Sequence, residues 1–151
     1  MLLKTHFMFA LLLIIVFFNF VNNKWIFIGM VMIGTVLPDI DTGFSSYGRH
    51  LIFRPLQFFV KHRGIIHSLT LAVILSVLLA VYWPVVSFGF FVGYCVHLIC
   101  DSFTKEGIKP FWPLKIRSSG FIATGGRIEE SLFFSLIFID IILFFAVFVL
   151  G

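Results

Sequence analysis

The chain has 151 residues, of which 60% are hydrophobic, 22 are Phe and only 12% are charged. A single domain of that length has too little interior to hide so much apolar surface from water, so a soluble fold is excluded and the solvent is lipid. Net charge is +4, but the cations lie between apolar segments and not in a stripe with interleaved aromatics, so nucleic acid is not expected as a partner.

The opening MLLKTHFMFALLLIIVFF imitates a signal peptide. The NFVNNKW that follows has no small-residue cleavage site, so the stretch is expected to remain as a first span. Apolar segments run over about 5–20, 25–37, 68–83, 85–100 and 131–150. Only the last approaches the ~20 residues of a full crossing. The others hold about 13 to 17 residues, roughly 20 to 25 Å of helix, short of the ~30 Å hydrocarbon slab. With no internal repeat, the expected fold is an all-α integral membrane protein, one domain over 1–151, built as a bundle of about five short transmembrane helices.

NNK at 22–24 and YWP at 82–84 are tight turns, and 38–67 and 101–130 are longer polar loops. In the first loop, LIFRPLQFFVKH alternates apolar and basic residues, which predicts a short interfacial helix within 42–62 whose Arg54 and Lys61 reach head groups. Arg49 and His50 are assigned to the same loop. Trp25, Tyr82 and Trp83 mark the outer interface and Trp112 the inner one. Cys95 and Cys100, five apart on a helix, cannot bridge and read as small buried residues.

If the segments cross in turn, only Lys24 of the 11 Lys and Arg residues falls on the far side. That bias predicts an inner-membrane, multi-pass protein with its N-terminus and both long loops in the cytoplasm and its C-terminus outside. The same map gathers the polar residues. His6 begins span 1, Asp39 and Asp41 end span 2, and His62 and His67 precede span 3. His97 and Asp101 end span 4, and Glu129 and Glu130 precede span 5. All belong to one cytoplasmic layer.

Because the spans are short, that layer should lie below the membrane edge: from Trp25, Asp39 is only about 21 Å along a helix. Carboxylates at that depth, at helix C-termini that already carry negative partial charge, need a positive partner. His97 and Asp101, at i and i+4, can close on one ion; DID offers two oxygens and HRGIIHS two nitrogens. This donor set suits a divalent metal, Zn²⁺ or Mn²⁺, as one or two ions. The candidate ligands are His6, Asp39, Asp41, His62, His67, His97 and Asp101.

THFMFA at 5–10, LPDIDTGFSSYGRH at 37–50, HRGIIHSL at 62–69 and GYCVHLICDSFTKEGIKPFWP at 93–113, with a looser ATGGRIEE at 123–130, resemble the membrane-bound metal-dependent hydrolases of the YbcI/YdjM type. The resemblance implies a multi-span inner-membrane protein assigned to metal-dependent hydrolysis. It points to the same seven ligands, with Arg63, Ser68, Thr104 and Gly107 as motif companions.

Metal chemistry then implies an activated water attacking a phosphoester or ester bond. A carboxylate beyond the ligands, Glu129 or one of Asp39 and Asp41, would take the proton, and Arg63 would grip a phosphate. A recessed site favours a membrane lipid or a lipid-linked substrate. There is no HExxH, GxSxG or phosphate-cradling glycine loop.

The rival readings are an ion or metal transporter and a non-catalytic protein with a structural metal. Transport expects polar residues near mid-span. Only Asp140 lies there, and it is expected to hydrogen-bond Ser or Tyr on a neighbouring helix or to mediate self-association. Substrate and oligomeric state are open at this level.

Overall fold

The computed structural model describes residues 1–41 and 64–150. Among the described residues there are five α-helices: α1 Leu3–Phe17, α2 Lys24–Val36, α3 Leu69–Tyr82, α4 Pro84–Ser102 and α5 Arg127–Phe148. A 3-10 turn, Leu37–Asp41, continues α2 and holds Asp39. The predicted interfacial helix, with Arg49, His50, Arg54, Lys61, His62 and Arg63, lies outside the described residues.

Among the described residues two helices, α4 of 19 residues and α5 of 22, are long and apolar enough to cross a membrane by length and composition. That corrects the expectation of about five such spans. The other three are 13 to 15 residues long, about 20 to 22 Å at the rise of an α-helix. The fourth helix also runs past its expected end, so Asp101 lies within it. Thr104 sets the stop: its hydroxyl donates to the Asp101 carbonyl at 2.7 Å and accepts from Gly107 N–H at 3.2 Å. One orphan carbonyl of the helix end is thereby satisfied. Gly107 follows at φ +61°, where a Cβ would also strike the Ser118 carbonyl.

α4 is the central element and packs against α1, α2 and α3, while α5 rests on α1. The α2–α4 contact is the most intimate. A Cβ at Gly93 would overlap the Val31 carbonyl, and one at Gly34 would overlap the Phe90 carbonyl. The two backbones therefore touch, as small residues allow in membrane helix pairs. Val31, Phe27 and Val92 form one apolar cluster with Ala10 and Ile14 of α1, and Phe90, Tyr94 and Leu98 form another with Ala72 of α3.

α5 shields only Glu129, Leu136 and Asp140 and leaves the rest of its apolar surface outward, as a helix bathed in lipid does. The segment between α4 and α5 is irregular and is tied by isolated bridges at Thr104 with Ile122 and Ile108 with Ser118. It reaches back to α3, where the Pro110 carbonyl accepts from Leu69 N–H at 2.8 Å. Ser68 caps α3, accepting from Leu71 N–H at 3.2 Å.

Candidate metal centre

Connected helices run in alternate directions, so the starts of α1 and α3 and the ends of α2 and α4 meet at one end of the bundle. His6 of α1, Asp39 of the turn after α2, His67 just before α3, and His97 and Asp101 of α4 come together there. His97 Nε2 lies 3.4 Å from His67 Nε2, 3.7 Å from Asp101 Oδ2 and 3.8 Å from Asp39 Oδ1. His6 Nε2 lies 3.4 Å from Asp101 Oδ1, and its ring stacks on that of His97 with centroids 4.2 Å apart. His67 Nε2 stands 3.7 Å from Asp101 Oδ2.

These separations fit a shared ion. Ligands about 2.1 Å from a tetrahedral metal lie roughly 3.4 Å from one another, and the five donor pairs at 3.4 to 3.8 Å are close to that spacing. Two triples qualify, His6–His97–Asp101 and Asp39–His67–His97, with donor atoms within 4.8 Å of one another. The electrostatics agree. Burial pushes the Asp39 carboxyl above the usual carboxylate range, although the imidazoles of His6 and His67 oppose the shift; a cation relieves that cost. Asp101 has already drawn one, since the Met1 amine lies 2.5 Å from its Oδ1. His6 is fully buried, and its Nδ1 has no hydrogen-bond partner among the described residues.

Of the seven expected ligands, five are thus brought together. Asp41 closes the 3-10 turn, its side chain outside the described structure, and His62 is likewise outside it. Glu129 belongs to neither triple. It is buried, its Oε1 accepts from Leu2 N–H at 2.5 Å and Thr5 Oγ1–H at 2.9 Å, and its Oε2 accepts from Gly125 N–H at 2.7 Å. It clamps the first turn of α1 to that of α5.

Sequence reasoning missed two supporting groups. Thr35, one turn before Asp39, gives its carbonyl to His97 Nδ1 at 2.8 Å, which leaves the Nε2 lone pair facing the centre. Tyr94 donates its hydroxyl to the Ile66 carbonyl at 2.5 Å and so holds the backbone beside His67. The signal for the first was the four-residue spacing of Gly89 and Gly93, which marks a close helix contact. No comparable signal existed for the second, since an aromatic three residues before a ligand is ordinary core.

An apolar helical bundle with two helices long enough to cross a bilayer is consistent with a membrane protein. The chain belongs to the YdjM inner membrane protein family, whose model matches residues 1–150. It is 33% identical over 108 residues to the inner membrane protein YdjM of Escherichia coli K12, covering 64% of this chain and 54% of that protein. It is also 30% identical over 104 residues to the uncharacterized protein YvsG of Bacillus subtilis, 65% of each chain. The chain spans about half the length of the YdjM relatives it matches. No solved structure matches it.

Proposed function

We propose that the chain is a membrane-embedded metal-dependent hydrolase that cleaves a phosphoester or ester bond of a lipid or lipid-linked substrate at the cytoplasmic face. The observation that carries this reading is the position of His97 in both ligand triples. Because Nδ1 of that imidazole donates to the Thr35 carbonyl, its one remaining lone pair serves one ion, which the two triples would enclose from both sides. His6, Asp39, His67, His97 and Asp101 would hold that ion, zinc or manganese. A divalent ion there supplies Lewis acidity and a water of lowered pKa.

The side chains divide the remaining work. Asp39 is 17% exposed, against 4% or less for His67, His97 and Asp101. It is therefore the carboxylate that would meet an incoming substrate and take a proton from the attacking water. Arg63 receives the phosphate, and the N-termini of α1, α3 and α5 add partial positive charge to the same layer. In the membrane, the Lys and Arg bias of the sequence favours the cytoplasmic side for the N-terminus, the centre and both long loops.

A second reading, a structural metal without turnover, is favoured by the complete burial of His6, His67 and His97. Metal content of the purified protein, for wild type, His67→Ala and Asp101→Ala, followed by a screen of lipid phosphoesters, separates the readings. Hydrolysis lost together with metal supports the enzyme. Metal held without turnover supports the structural role, and ion flux in liposomes without hydrolysis supports a transporter.

A further inference from the structure

The segment between α4 and α5 consists of a paired neck and an exposed tip. In the neck, Ile108 N–H donates to the Ser118 carbonyl at 2.8 Å and Ser118 N–H returns the bond at 2.9 Å, while Lys105 N–H donates to the Ile122 carbonyl at 2.9 Å. Ile108 and Ile122 are buried in the apolar clusters of the bundle. The tip, KPFWPLKIR at 109–117, contrasts with this. Phe111, Trp112, Leu114 and Ile116 are 40 to 59% exposed. Between 111 and 117 the only backbone hydrogen bond among the described residues runs from Leu114 N–H to the Phe111 carbonyl.

Those two properties call for different solvents. Unpaired backbone groups are costly in hydrocarbon, and a cluster of large apolar side chains held out on a fixed base is unfavourable in water. The head-group layer accommodates both, and Trp is a residue type enriched there. Charge specifies the partner. Residues 103–126 carry Lys105, Lys109, Lys115 and Arg117 against one acid, Glu106, whose carboxylate accepts from Thr124 Oγ1–H at 3.2 Å. Arg117 is engaged with the neck, donating to the Glu106 carbonyl at 2.7 Å. Lys109 and Lys115 are exposed and interleave with the apolar residues.

We propose that the 109–117 tip is a binding surface for acidic phospholipid head groups, with its apolar side chains set into the interface and Lys109 and Lys115 on the phosphates. The tip stands at the end of the bundle that holds the His and Asp centre, because the Pro110 carbonyl accepts from Leu69 N–H, two residues after His67. The proposal does not depend on the function assigned to that centre.

Spin-labelled lipids added to the full chain in phosphatidylcholine vesicles test it. Electron spin resonance should show phosphatidylglycerol selected over phosphatidylcholine by about fivefold, the effect of one close cation, and Lys109→Gln combined with Lys115→Gln should bring the ratio to within about twofold. Added salt should lower the wild-type selectivity. With Trp25→Phe and Trp83→Phe, Trp112 is the one Trp left, and a lipid labelled at the head group should quench its fluorescence more than one labelled at mid-chain. No selectivity in wild type overturns the proposal, as does unchanged selectivity in the double lysine variant. Trp112 reached by acrylamide from the water but by neither lipid overturns it in favour of an acidic protein as the occupant.

Discussion

His97 Nδ1 donates to the Thr35 carbonyl at 2.8 Å, and the opposite ring nitrogen consequently faces Asp39, His67 and Asp101. A backbone acceptor that fixes the tautomer is what a metal-binding imidazole requires. It is available here only because α2 and α4 touch at Gly34 and Gly93.

Since both triples contain His97, His97→Ala is expected to strip the protein of metal. His6→Ala and Asp39→Ala each leave one triple whole and should weaken metal binding without abolishing it. Inductively coupled plasma mass spectrometry of the purified variants reads this directly. Equal loss in all three would mean that neither triple holds the ion by itself.

Gly93→Ala adds a methyl where the Val31 carbonyl already sits. The helices must part, at roughly 1 to 3 kcal/mol for an overpacked contact, and Thr35 withdraws from His97 as they do. A lower melting temperature and weaker metal binding should appear together; a variant with wild-type melting would refute the contact.

Glu129→Gln removes one of two oxygens that accept from three donors. Losing charge-assisted hydrogen bonds of this kind costs about 1.5 to 3 kcal/mol. Thermal stability should fall while metal stoichiometry holds. Loss of metal at unchanged stability would place Glu129 among the ligands instead of in the clamp.

Chelation offers a test without mutation. A ligand that binds only the folded chain stabilises it by about 2.7 kcal/mol at a hundredfold excess over its Kd. Treatment with a chelator should therefore lower the melting temperature of wild type and leave that of His97→Ala where it was.

The site was legible in the sequence to the extent that it followed from alternating helix directions. His6, Asp39, His67, His97 and Asp101 each flank an apolar segment at the end that alternation brings to one side, and the i, i+4 spacing of His97 and Asp101 fixes one helical face. Thr35 and Tyr94 escaped because their roles depend on which helix neighbours which, a tertiary fact with no periodicity of its own. Glu129 was read as a possible base from its place in the layer, whereas its hydrogen bonds depend on α5 lying against α1. The length of α4 was underestimated because Asp101, a polar residue, read as the end of an apolar run, whereas the helix runs two residues past Cys100 to Ser102 before Thr104 stops it.

The Glu129 clamp also orders biogenesis. Its carboxylate joins Leu2 and Thr5, near the beginning of translation, to a helix made more than a hundred residues later. Until α5 is made, Leu2 and Thr5 lack this acceptor, and the first turn of α1 is held through Met1 and His6 against Asp101 and His97 of α4. The last helix to be made thus locks the first turn of the chain in place.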